Sequence, residues 1–172
     1  MQNRIDIIQG DITIQSVDAI VNAANQTLLG GGGVDGAIHR AAGPRLKQEC
    51  ETLGGCETGR AKITLGYDLP AKWVVHAVGP VWYGGDRGED ELLASCYRGC
   101  FQLAGDLGIE SMSFPAISTG AYGFPVERAT RIALKETFRY LETHPTPEKV
   151  TFVCFSPEVF ETYRSVFQEM VG

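Results

Sequence analysis

Residues 30–43 read Gly30-Gly31-Gly32-Gly33-Val34-Asp35-Gly36-Ala37-Ile38-His39-Arg40-Ala41-Ala42-Gly43. The first four glycines suit a loop, because they reach backbone angles closed to other residues and let a ligand approach the main chain. The rest reads as a helix over 34–43, ended by Gly43-Pro44. Just upstream, Ala19-Ile20-Val21-Asn22-Ala23-Ala24 is a short apolar run that reads as a buried strand. Strand, glycine loop and helix form the repeating unit of an α/β fold.

The same alternation continues outward. Strands are predicted over 4–9, 61–65, 73–78, 112–114 and 150–155, from β-branched and aromatic content and from alternation. Helices are predicted over 45–53, 91–107, 126–141 and 157–170. In the helix over 91–107, Leu92, Cys96, Cys100, Leu103 and Leu107 share one face. Strands interleaved with helices predict an α/β class with a mainly parallel, helix-covered sheet. No repeat, linker or low-complexity stretch divides the chain, so one domain over residues 1–172 is expected. Residues 84–90 are the most exposed loop by composition.

Composition narrows the function. Glycine makes 21 of 172 residues, roughly 12% against a usual ~7%, and the excess is clustered. Fifteen basic against 21 acidic residues give a net charge of −6, which offers no global attraction to duplex nucleic acid or to an anionic membrane. No apolar run reaches the ~18 residues that span a bilayer, and residues 1–6 lack the apolar core of a secretory signal. Five cysteines, an odd number in a chain of this size, argue against a disulfide framework and for a reducing cytoplasm. Cys96 and Cys100 have no histidine near them, so buried thiols are expected rather than a metal site.

Ligands in open α/β sheets sit beyond the carboxyl ends of the strands, and four such ends carry unusual residues. The glycine loop running into a helix start suits an anion, held by unpaired amides and the helix dipole. The bland alternative is a mobile surface loop. Gly31 to Gly36 formally matches GxGxxG, but the loop is too far from its strand for a tight Rossmann turn, and no P-loop lysine follows. The second loop, Ser118-Thr119-Gly120-Ala121-Tyr122-Gly123, lies in a stretch (113–125) without a charged residue. It could cradle phosphate with amides or be a plain β–α connection. Asp35 is the leading catalytic candidate, with a helix-capping carboxylate as its alternative. Its place in the first helical turn predicts a lowered pKa. His39, four residues on, shares its helix face and is either structural or a partner of the carboxylate. Asn25 suits a ribose hydroxyl or a water, or an Asx-turn after the strand. His76 lies in an apolar strand pattern and reads as a core histidine.

Five segments taken together carry a resemblance. They are Gly10-Asp11-Ile12-Thr13, Val21-Asn22-Ala23-Ala24-Asn25, residues 30–43, Val75-His76-Ala77-Val78-Gly79-Pro80, and residues 114–123 (FPAISTGAYG). In spacing and order, over most of the chain, it resembles the macrodomain family, in particular its MacroD-type branch of O-acetyl-ADP-ribose deacetylases and ADP-ribosyl hydrolases. The resemblance implies a three-layer α/β/α domain around a six-stranded mixed sheet. ADP-ribose or O-acetyl-ADP-ribose is the implied ligand, mono-ADP-ribosylated proteins are a further implied partner, and no cofactor or metal is implied. By the same resemblance Asp11 and Ile12 meet the adenine, with Phe155 stacked on it. Ser156 follows Phe155 where the family commonly has an acidic residue. Gly32, Gly33 and Val34 form the first phosphate-side loop, and Ser118, Thr119, Gly120, Ala121 and Tyr122 the diphosphate loop. Asn25 meets the distal ribose, and Asp35, Asn25 and His39 are the implied catalytic set. A non-catalytic ADP-ribose-binding module is the alternative function, and a nicotinamide-dependent dehydrogenase a distant third.

Overall fold

A computed structural model describes residues 2–172. Six strands form one sheet: β1 (Ile5–Gln9), β2 (Ala19–Ala23), β3 (Ala61–Leu65), β4 (Trp73–Ala77), β5 (Ser111–Phe114) and β6 (Lys149–Cys154). Their spatial order is β1-β6-β5-β2-β4-β3. Every neighbouring pair is parallel except β3 with β4, which is antiparallel. The mixed sheet agrees with the resemblance. Five parallel strands therefore end at one edge, which gathers the segments after Gln9, Ala23, Ala77, Phe114 and Cys154.

Five helices cover the sheet: α1 (Gly33–Ala42), α2 (Pro44–Glu51), α3 (Glu89–Leu107), α4 (Val126–Thr143) and α5 (Pro157–Val171). Strand alternation sorts the core into two layers. Ala19, Val21, Val75, Ala77, Phe114 and Phe152 face α3, α4 and α5, where they meet Tyr97, Phe101, Ala133 and Tyr163. Ile20, Val74, Val78 and Val153 face the other way and meet Ile38, Ala42, Leu46 and Cys50 of α1 and α2. The three-layer α/β/α expectation holds. Accessible surface is 8161 Å², against about 8,300 Å² expected for a compact chain of this size.

Element positions follow the sequence within one or two residues, with physical reasons for the differences. Gly43, at φ 84, separates α1 from α2, and Pro44 takes the first position of α2, where its missing N–H costs nothing. In α3 the expected stripe is rotated. Leu93, Cys96, Tyr97, Cys100, Phe101 and Ala104 are buried, while Leu107 is 45% exposed. This helix packs against α4 as well as β3 and β4, so two neighbours set its buried face. All five cysteines are buried free thiols. No helix among the described residues is long and apolar enough to cross a membrane.

Candidate active site

The glycine loop is built by Asn25. Its Oδ1 accepts from Thr27 N (3.2 Å), Thr27 Oγ1 (2.7 Å) and Leu28 N (3.2 Å), and its Nδ2 donates to Gly30 O (3.0 Å). The Asx-turn reading is therefore correct, and the carbonyl is fully used. One N–H of Nδ2 remains available for another partner. Beyond Gly30, Gly32 caps α1 without any side-chain hydrogen bond. The first amides of the helix, those of Gly33, Val34 and Asp35, then have no partner inside it, and the space beside Gly32 and Gly33 is open, with nothing within 4 Å of a Cβ built on either.

Asp35 lies in the first turn of α1 but on its buried face, in register with Ile38 and Ala42. It is 4% exposed. Oδ1 accepts from Asn22 Nδ2 at 2.8 Å, and His39 Nε2 stands 3.5 Å from the same oxygen, close enough for charge but without a hydrogen bond. A Cβ on Gly31 would lie 3.1 Å from Asp35 Oδ2 and 3.3 Å from Asn25 Nδ2. The glycine loop thus threads between the two side chains, and Asp35, Asn25 and His39 are brought together. The expected lowering of the Asp35 pKa is overturned. Burial raises it, and the Asn22 hydrogen bond and His39 only partly oppose that. Desolvation dominates because the side chain is buried, with Oδ1 turned inward to Asn22 and Oδ2 under the glycine loop.

The second loop leaves β5 through Pro115. Ser118, buried at φ 67, accepts at its carbonyl from Phe124 N (2.9 Å), and Gly123 N closes on Gly120 O (2.9 Å). The N–H groups of Gly120, Ala121 and Tyr122 have no backbone partner among the described residues. Gly79, at the end of β4, permits this packing, since a Cβ there would collide with Ser118 and Ile117. Tyr122 O accepts from Trp82 N at 2.8 Å, and Trp82 packs against Phe124 in a tilted pair with centroids 4.7 Å apart. Trp82 thereby ties residues 82–88 to this loop.

Most of residues 84–88 are exposed, as expected, but the loop is anchored from within. Glu89 is 1% exposed and accepts from Tyr83 N (2.9 Å), Gly85 N (3.0 Å) and Arg87 N (2.7 Å). Burial alone would raise its pKa, but these amides outweigh burial and bring it down to about 2. Sequence reading missed Glu89, since an acidic residue in a glycine-rich stretch carries no signal of a main-chain clamp.

At the other end of the edge, Gly10 N donates to Cys154 O (3.0 Å), which sets Asp11 beside Phe155. Asp11 Oδ1 accepts from Thr13 N (2.9 Å) and Thr13 Oγ1 (2.7 Å). Ile12 is buried, whereas Phe155 is 88% exposed, an isolated ring at a strand end. Ser156 caps α5, accepting from Val159 N at 3.3 Å. Asp11, Ile12, Asn25, the glycine loop, Ser118 to Tyr122 and Phe155 therefore follow the carboxyl ends of β1, β2, β5 and β6 at one sheet edge. Among the described residues no group of three or more His, Cys, Asp and Glu is placed to hold a metal.

Two loops with unpartnered amides and a buried aspartate at the carboxyl ends of a parallel sheet form a place suited to an anionic ligand on an α/β/α fold. The Macro domain family matches residues 21–133, and the chain belongs to that family. An O-acetyl-ADP-ribose deacetylase of Enterobacter cloacae subsp. cloacae is 56% identical over 98% of this chain and 96% of its own. The Oceanobacillus iheyensis macrodomain with ADP is 41% identical, with a TM-score of 0.91 over 95% of this chain and 90% of that one. A Trypanosoma brucei macrodomain in complex with ADP-ribose is 46% identical, with a TM-score of 0.90 over 98% of this chain and 69% of that one.

Proposed function

We propose that this chain is a hydrolase that holds ADP-ribose along the strand ends and cleaves an ester at its distal ribose. O-acetyl-ADP-ribose is one substrate, and ADP-ribose joined to an acidic side chain of a protein is the other. The adenine lies between Asp11, Ile12 and Phe155. The diphosphate accepts from the amides of Gly32, Gly33 and Val34 on one side and of Ser118 to Tyr122 on the other. Tyr122 flanks the distal ribose. An acidic protein can hold a doubly charged ligand this way because the main chain supplies the donors. The relative named as a deacetylase and the solved relatives with ADP and ADP-ribose support the reading. Five buried thiols favour a reducing cytoplasm.

The observation that carries catalysis is the burial of Asp35 beside Asn25 and His39. A raised pKa makes Asp35 a stronger base than a free aspartate. It takes a proton from a water whose oxygen accepts from the free Asn25 N–H, the only hydrogen-bonding capacity that Asn25 has left. With the acetyl ester, the water oxygen bonds to the carbonyl carbon, the ester C–O bond breaks, and the ribose oxygen takes up a proton. Acetate and ADP-ribose leave. With the protein ester, the water bonds to the anomeric carbon and the carboxylate departs. His39 favours the charged form of Asp35.

A module that only reads ADP-ribose needs the adenine and diphosphate contacts and has no use for a buried carboxylate. Two measurements on wild type and Asp35→Ala separate the readings: release of acetate or ADP-ribose, and calorimetric affinity for ADP-ribose. Loss of at least about 100-fold in turnover with affinity retained is the expected result. Tight binding by wild type without product would establish the reader instead, and unchanged turnover in Asp35→Ala would remove Asp35 from the reaction.

A further inference from the structure

Behind Asp35 lies a row of polar side chains that the reaction described above does not use. Asn22 on β2 is directly paired with His76 on β4, and Thr64 on β3 follows on the same face. Asn22 and His76 are 0% exposed and Thr64 1%. Three buried polar groups on adjacent strands would be costly unless their hydrogen bonds were matched.

They are matched in one direction only. Asp35 Oδ1 accepts, so the Asn22 atom 2.8 Å away is its NH₂ group. The second hydrogen of that group points to His76 Nδ1 at 3.2 Å, which must therefore be bare. A neutral imidazole then carries its proton on Nε2 and donates it to Thr64 Oγ1 at 2.9 Å. Thr64 in turn donates to Leu65 O at 3.0 Å. Asn22 Oδ1 has no partner, so the two acceptors on its other side alone fix the orientation of the amide. A second proton on His76 would face the Asn22 N–H and break the row. Burial opposes that proton, lowering the His76 pKa to about 3.

We propose that Asn22, His76 and Thr64 are positioning residues that hold the Asp35 carboxylate in line for its water. This rests on the hydrolase reading. The acidic and basic groups around the row are Asp35 and His39 on α1, Cys50 on α2, whose Sγ is 3.8 Å from His76 Nε2, and Lys62 on β3, opposite His76 in register, whose Nζ donates to Leu53 O and Gly55 O. His76→Leu removes the acceptor, while His76→Asn can restore one near the Nδ1 position. Expected is a fall in kcat of about tenfold or more in His76→Leu, with KM and ADP-ribose affinity within about twofold, and substantial recovery in His76→Asn. Asn22→Ser weakens the hydrogen bond to the charged carboxyl, so the acid limb of the kcat–pH profile moves to higher pH. In the wild type, nitrogen NMR should find His76 protonated on Nε2 alone from pH 5 to 8, a readout that needs no variant to fold.

A folded His76→Leu with wild-type kcat, or His76 found with its proton on Nδ1, would overturn the proposal. A wild type without hydrolase activity would overturn the catalytic reading with it, whereas an active wild type and an equally active His76→Leu would overturn the positioning row alone.

Discussion

Asp35 shows what a single position can and cannot disclose. Its place after four glycines marks it as a helix-start carboxylate, and that much is legible. Its burial was also written in the chain, since Asp35, Ile38 and Ala42 share one face of α1, but the first-turn reading drew attention to the dipole instead. Asn22 has no legible role in the Val21–Asn25 motif, because a polar residue in an apolar strand does not reveal its partner across the sheet. Asn25 closes the turn and, in the proposed reaction, holds the water, two tasks that substitution can separate. Asn25→Asp keeps the acceptor that closes the turn but loses the free N–H and places a second negative charge beside Asp35. Because the hydrogen bond to Gly30 O is lost as well, its urea-denaturation midpoint is expected to fall, though by less than that of Asn25→Ala, while turnover falls at least about tenfold. Asn25→Ala loses the turn as well, and an additional loss of about 1–2 kcal/mol in stability is expected. Equal stability in both variants would contradict this division.

At the scale of elements, the site depends on how loops are seated. Gly36 packs against the glycine loop so closely that a Cβ would stand 2.5 Å from Gly31 O. Gly36→Ala must therefore push loop and helix apart. A lower Tm and a loss of ADP-ribose affinity are expected together, read by thermal denaturation and calorimetry. Residues 83–87 are held by Glu89. In Glu89→Gln the amides of Tyr83, Gly85 and Arg87 are expected to exchange with solvent faster, as one oxygen and the charge are lost. Unaltered exchange at those three amides would show that the carboxylate does not hold the loop. Strand and helix positions were legible here because apolar periodicity and glycine stops are local. The Glu89 clamp was not, because its partners are backbone groups that every sequence possesses.

For the whole molecule, strand content was readable but strand order was not. β1 pairs with β6 across more than 140 residues of chain, and only β3 runs antiparallel. Such pairings depend on tertiary packing and connection rules rather than on local composition. The buried groups also set an acid response. His76 binds a proton below pH 6.5 in the unfolded chain but only near pH 3 in the fold, so stability is complete above pH 6.5 and declines as pH falls toward 3. The decline is on the order of a few kcal/mol. Glu89 has the same sign between pH 4.5 and about 2, while Asp35, with a raised pKa, acts in the opposite sense. Urea midpoints between pH 8 and pH 5 are expected to fall, with a shallower fall in His76→Asn. A flat profile would contradict the neutral buried imidazole.

The proposed activity requires a diphosphate gripped by two sets of main-chain amides, with the distal ribose delivered to Asn25 and Asp35. A crystal structure with ADP-ribose bound is the most direct measurement. Phosphate oxygens should lie within hydrogen-bond distance of amides from residues 32–34 and 118–122, with the distal ribose beside Asn25 and Asp35. A nucleotide bound elsewhere, or seated with its distal ribose turned away from Asp35, would contradict the account.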